Sequence, residues 1–157
     1  MSHHLISPAV LVHDLGIEIG DTILELGSPL GLFAAAAIKA VREPGKVIVA
    51  GASDEALERV SYLRRFSQLE TTLLADVLLG RALPRQSVDW ILLTNLLSSS
   101  MNPDHFCISV NQYAKAGARI VLVDWRSRGG VGAGPLASQR VSQEKAINLL
   151  QSCGMVF

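Results

Sequence analysis

The feature that most constrains this chain is a regular alternation of short apolar runs with longer helical stretches, each change marked by glycine, proline or a capping residue. Thr22–Leu26 (TILEL) is short and apolar, as a strand buried on both faces requires. It ends at Gly27, and Leu30–Val41, rich in alanine, has the length of a helix that Glu43-Pro44-Gly45 stops. Lys46–Ala50 (KVIVA) reads as a second strand. Ser53 then stands as an N-cap ahead of Asp54 and Glu55, where the helix dipole favours acids. Leu57, Val60 and either Tyr62 or Leu63 follow at helical spacing. Thr71–Ala75 and Val88–Thr94 give the third and fourth strands. The next helix is expected over Pro103–Ala116 with Gly117 as its terminal glycine, and the fifth strand over Ala118–Trp125. Arg126–Gln139 holds four glycines and a proline and is expected to be a mobile loop. Ser142 caps a last helix over Gln143–Ser152, and Gly154–Phe157 has room to begin a sixth strand.

Strands and helices alternating at this pitch imply right-handed βαβ units on one parallel sheet: an α/β, Rossmann-like, doubly wound fold with helices on both faces. No linker or repeat divides the 157 residues, so one domain is expected. In such sheets ligands bind beyond the carboxyl ends of the strands. That rule gathers Gly27–Gly31, Gly51–Ser53, Asp76, Asn95 and the loop after Asp124 on one rim.

Composition narrows the function classes. With 49% apolar and 18% charged residues the chain is globular in character. Its 14 basic and 14 acidic side chains cancel, and no basic stripe is present, so no nucleic-acid partner is expected. Arg64-Arg65 reads as a solvated helix face. No apolar run reaches the ~18 residues of a membrane span and the start lacks a signal-peptide core, so a cytoplasmic, soluble protein with no membrane partner is expected. Cys107 and Cys153 lie far apart in the chain, without metal-ligand spacing to each other or to His3, His4, His13 and His105. They read as two buried thiols, and no metal is expected.

The turn Glu25-Leu26-Gly27-Ser28-Pro29-Leu30-Gly31 sets an acid and two glycines ahead of a helix start, whose free N–H groups suit a ligand. Glycines of a tight turn also serve sterics alone. The spacing lacks the Gly-x-Gly-x-x-Gly of nicotinamide dinucleotide folds. It resembles motif I of the class I S-adenosylmethionine-dependent methyltransferases, with Pro29 in place of the middle glycine. GDTILELG, PGKVIVAGAS, Ala75-Asp76, LPRQSVDWILLTNLL, GARIVLVDW and GPLASQRVSQEKAINLLQSCGM follow in that family's order. They are similar to the small-molecule methyltransferases of ubiquinone and menaquinone biosynthesis.

The resemblance implies S-adenosylmethionine as cofactor and a small-molecule methyl acceptor. It sets Glu25 at the methionine end, with Gly27, Ser28 and Gly31 forming the turn beneath. Gly51, Ala52 and Ser53 follow the second strand on the ribose side. Asp76 would receive the adenine amino group, with Ala75 and Val77 beside the ring, and Asn95 would line the methionine side. Asp76 and Asn95 also suit capping and loop-bonding roles. The family's ribose-gripping acid falls here on Gly51, a loss of roughly 1.5–3 kcal/mol for each of two charge-assisted hydrogen bonds. The resemblance implies a terminal β-hairpin for which the sequence after the last helix has little room. Either the fifth strand becomes an edge, with Ile120–Val123 apolar along it, or Gly154–Phe157 covers it briefly. A homodimer or higher oligomer that buries this edge is expected.

Methyl transfer is an in-line displacement in which positioning does most of the work, and a base is needed only for a protonated nucleophile. Asp124, His105 and Asp104 are the candidate bases, Asp124 the best placed, with strand-end capping and surface exposure as their alternatives. Trp125 and Arg126 are expected to close over the substrate, and Trp90 to lie in the core. The competing functional reading is a non-catalytic protein that keeps the fold for binding or assembly.

Overall fold

The strands follow the apolar runs because each has to be covered on two faces. In the computed structural model, which describes residues 6–27, 30–97, 103–127 and 134–156, β1 (Thr22–Leu26), β2 (Lys46–Gly51) and β4 (Val88–Thr94) are almost wholly buried. Two further strands, β3 (Leu69–Leu73) and β5 (Ala114–Val123), complete a five-stranded sheet in the order β3-β2-β1-β4-β5, every neighbouring pair parallel. The helices are α1 (Pro8–Asp14), α2 (Leu32–Val41), α3 (Asp54–Glu58), α4 (Leu74–Leu78), α5 (Pro103–Asn111) and α6 (Gln143–Ser152). Among the described residues no helix is long and apolar enough to cross a membrane.

Successive strand residues point to opposite faces, which divides the core in two. Ile23, Val47, Val49, Trp90 and Leu92 meet Ala34, Ala37, Ile38 and Val41 of α2 on one face. Leu24, Leu26, Ile48, Ile91 and Leu93 meet Val77 of α4 and Phe106, Cys107 and Val110 of α5 on the other. This is the doubly wound α/β arrangement expected, and its strand order reverses at β1 and β4, where the crevice opens.

Several boundaries differ from expectation. The third strand is Leu69–Leu73, two residues earlier, where it pairs residue for residue with Val47–Gly51 of β2. The following helix therefore begins at once, and Asp76 lies in its first turn. The helix expected to reach Ala116 ends at Asn111. Tyr113 causes this: its side chain has no exposed surface, its O–H donates to the Val77 carbonyl at 2.9 Å, and its own carbonyl accepts from Ser87 and Val88. The chain is thereby pulled into the sheet from Ala114 onward. Gly117, expected to end a helix, instead sits inside β5 at φ +80, where the pairing with β4 shifts register.

The last helix spans Gln143–Ser152 with Ser142 as cap, as read, its Oγ accepting from the Lys145 amide. No strand follows it among the described residues: Gly154, at φ +87, ends the helix and the Met155 amide folds back on the Leu150 carbonyl. β5 is thus the last strand of the sheet, paired with β4 alone. Phe157, the end of the expected sixth strand, is outside the described residues. The helix α1, with Pro8 in its first turn, was not foreseen.

Candidate functional site at the carboxyl ends of the strands

The rim begins at Glu25, which has no exposed surface and sits in register with Val49 and Leu92. A carboxylate there is the costliest residue type to place between apolar strands. One residue past β1, Gly27 adopts φ +90; a Cβ there would overlap the Thr94 carbonyl oxygen and lie 2.5 Å from Leu96 Cγ. Its glycine is required by the close approach of the β4 exit as well as by its dihedral. Thr94 reinforces the contact, its buried Oγ1 donating to the Leu26 carbonyl at 3.0 Å. Ser28 and Pro29, the next positions of the motif, lie outside the described residues.

Gly31 is the N-cap of α2 at φ +59, so the helix starts at Leu32 rather than Leu30. A Cβ on it would lie 2.8 Å from Val60 Cγ1 and 3.3 Å from Leu63 Cδ1. At the end of β2 the same holds for Gly51: a Cβ would lie 2.6 Å from Leu57 Cδ2. Leu57, from α3, occupies the space into which an acid at position 51 would extend. Ser53 is the cap it was read as, its Oγ accepting from the Ala56 amide at 3.3 Å. The same hydroxyl, bonded to Glu55, is the main reason that carboxyl lies below the usual range. Ser53 is therefore committed to the start of α3, while Ala52 beside it is exposed.

The adenine side is only partly assembled. Ala75 is exposed and Asp76 half-buried in the first turn of α4. Val77 has no exposed surface: its side chain belongs to the core, and its carbonyl accepts from Tyr113. Its position on the inward face of α4 follows from the early end of β3.

The exits of β4 and β5 are joined. Asn95, exposed and at φ +54, donates its amide to the Val123 carbonyl at 2.8 Å. Asp124 accepts the Leu97 amide on Oδ2 at 3.0 Å and the Trp125 amide on Oδ1 at 2.7 Å. The residue ranked first as a base thus uses both oxygens on backbone amides. Asp104 and His105 are exposed on the first turn of α5. Trp125 is covered by its own chain: Gly134 lies against the indole, with a Cβ there 2.5 Å from Cδ2, and Arg140 stands 5.8 Å from the ring. Arg140 also donates to the carbonyls of Pro135 and Arg126. The described ends of the expected mobile loop therefore fold onto Trp125; residues 128–133 lie outside the described residues.

The structure brings Glu25, Gly27, Gly31, Gly51, Ala52, Ser53, Asn95 and Asp124 to one rim and leaves Val77 in the core. Sequence reasoning missed Leu57, Leu96 and Thr94, which line that rim; only the unusual glycine at position 51 hinted that something else fills the gap. Among the described residues no three His, Cys, Asp or Glu side chains are grouped to hold a metal. A separate groove of about 1090 Å³ follows the outer edge of β5, between the end of α1 and α6.

Of the residues that the resemblance sets around S-adenosylmethionine, Glu25, the Gly27 turn and Asn95 are gathered at one end of the rim. At the end of β2, Gly51 offers no side-chain acceptor, Leu57 lies against it and the Ser53 hydroxyl is engaged.

No family model matches the chain, and no curated protein matches it. Many solved structures do. A SAM-dependent methyltransferase from Aquifex aeolicus superposes with a TM-score of 0.86 at 21% identity, over 97% of this chain and 81% of that one. A type 11 methyltransferase, so described as putative, from Sulfolobus solfataricus gives 0.68 at 22% identity, over 84% and 72%. The [4+2]-cyclase SpnF gives 0.76 at 16%, over 93% of this chain and 55% of that one. At these identities the likeness is one of architecture, and on it the chain has the Rossmann-like fold of the SAM-dependent methyltransferases.

Proposed function

We propose that the chain is an S-adenosylmethionine-dependent methyltransferase acting on a small molecule, of the kind used by the ubiquinone and menaquinone enzymes its sequence resembles. The observation that carries this reading is Glu25, a fully buried carboxylate at the carboxyl end of the central strand, next to the left-handed Gly27 turn. A ligand ammonium gains most beside a carboxylate already held out of water. The cofactor, when bound, supplies an electrophilic methyl carbon for in-line displacement. The residues of this chain then contribute placement: Glu25 and the turn hold the methionine end, and the amide of Asn95 fixes the β4 exit against β5.

A second reading, that the fold serves binding or assembly without catalysis, is favoured by Leu57 in front of Gly51 and by the open edge of β5. In that reading a second copy pairs along β5 and the protein is a homodimer. Calorimetry with S-adenosylmethionine and S-adenosylhomocysteine separates the two. Saturable binding below millimolar concentration supports the first; absence of binding near millimolar removes it. Binding that Glu25→Gln leaves unchanged removes the assignment of Glu25 while sparing the fold.

A further inference from the structure

Cys107 and Cys153, well separated in the sequence, meet where α5 and α6 pack together. Cys107 is only 1% exposed and belongs to the core beneath α5. Cys153 is the C-cap of α6, partly exposed, and packs against the same core. Asn111 holds the junction: one turn beyond Cys107 on α5, it donates from Nδ2 to the Cys153 carbonyl at 2.8 Å. Burial first, and the neighbouring Cys153 after it, push the Cys107 thiol up to about 12. Neither thiol belongs to the rim, and methyl transfer uses neither.

We propose that Cys107 and Cys153 form a reversible dithiol–disulfide site that, when oxidised, ties α6 covalently to α5. The oxidant is a low-molecular-weight disulfide, for which glutathione disulfide is the probe. Cys153, the thiol that solvent reaches, loses its proton and attacks one glutathione sulfur; the glutathione S–S bond breaks, a mixed disulfide forms and one glutathione thiolate leaves with that proton. Cys107 then loses its proton and attacks the Cys153 sulfur, and the second glutathione leaves as a thiol. Two protein thiols are oxidised by two electrons while one glutathione disulfide is reduced to two thiols. The order follows from access: a buried, protonated Cys107 cannot take the first step but needs no solvent for the second.

The bond would fix one wall of the groove beside β5. α6 leads directly into Gly154, Met155 and Val156, which line that groove together with Ala114, Lys115 and Arg119 of β5. With α6 anchored at its last turn, these residues are held beside the open strand. A ligand or partner strand at that edge would meet a pinned wall in one redox state and a freer one in the other.

The test uses the full reduced chain, folded, treated with glutathione disulfide at mildly alkaline pH and quenched with acid. The expected product is lighter than the reduced chain by about two hydrogens. A non-reducing tryptic digest should join the peptide 86–115 to the peptide 146–157. The oxidised form should melt roughly 5–10 °C higher, and dithiothreitol should reverse both changes. Cys107→Ala should stop at a glutathione adduct on Cys153, and Cys153→Ser should remain unmodified while folded. A wild-type chain that stays reduced, stops at the adduct or links to a second chain overturns the proposal. So does a cross-link that lowers the melting temperature, since it would form only from the unfolded chain.

Discussion

Leu57 stands in the place of a side chain that Gly51 lacks: a Cβ built on Gly51 lies 2.6 Å from Leu57 Cδ2 and 2.7 Å from its Cγ. Gly51→Asp therefore introduces an acid into occupied space. It is expected to destabilise the chain by about 1–3 kcal/mol, the usual cost of overpacking, read as a lower urea midpoint. Adding Leu57→Ala should recover part of that loss. If the rim binds S-adenosylhomocysteine, the double variant should bind it roughly tenfold tighter or better, through restored charge-assisted hydrogen bonds. A double variant as weak as the wild type would mean that position 51 does not face the ribose.

Tyr113 sets where α5 stops and β5 starts, through its buried ring and its bond to the Val77 carbonyl. Tyr113→Phe keeps the ring and loses the bond, and the Val77 carbonyl still accepts from the Gly80 amide. A loss of about 1 kcal/mol is expected. Tyr113→Ala leaves a cavity and should cost roughly 3–5 kcal/mol. Equal losses for the two variants, measured by chemical denaturation, would show that the hydroxyl rather than the ring sets the junction.

Stability should fall with alkaline pH. Burial raises Cys107 from the ordinary 9.0 to about 12, and burial also raises Tyr113 above its ordinary 10.0. Both groups hold their protons longer in the folded chain than in the unfolded one. The Cys107 contribution is therefore complete below pH 9 and is lost as pH rises toward 12, and that of Tyr113 is lost above its ordinary 10.0. The slope is at most about 1.4 kcal/mol per pH unit for each proton. Cys107→Ala should flatten the lower part of the decline, in thermal melts taken from pH 8 to 11. An unchanged slope would mean that Cys107 titrates normally in the folded chain.

The open edge of β5 should show itself in mass. Ile120 and Leu122 are only partly buried, and among the described residues the strand pairs with β4 alone. Light scattering at micromolar concentration is expected to give twice the chain mass, with a second copy covering this edge. A clean monomer mass rules that arrangement out.

Much of the fold was legible because the buried strands leave a strong signature. Val88–Thr94 was read with its exact limits, since both of its faces had to be apolar. The caps at Ser53 and Ser142 were read because a hydroxyl before a helix has one local job, and both perform it. What failed depended on contacts between distant residues. Nothing near Gly117 in sequence announces that Tyr113 will reach Val77 and draw the chain into the sheet early. Glycine at φ +80 serves a strand irregularity as well as a helix end, so composition could not separate the two. The rim was placed by topology and its glycines were recognised, but Leu57 was read as one apolar position of a helix. Its reach back to Gly51 is a tertiary fact. Cys107 and Cys153 are free thiols as read, the first buried and the second partly so, but separation along the chain says nothing about two helices that pack.

Asp124 has two oxygens and gives one to each strand exit, to Leu97 beyond β4 and to Trp125 beyond β5. The two strand exits are consequently tied through one carboxylate. Separating Leu97 from Asp124 costs a hydrogen bond to that group, roughly 1.5–3 kcal/mol, so the side chain that stands where a base would be sought also carries the join between β4 and β5.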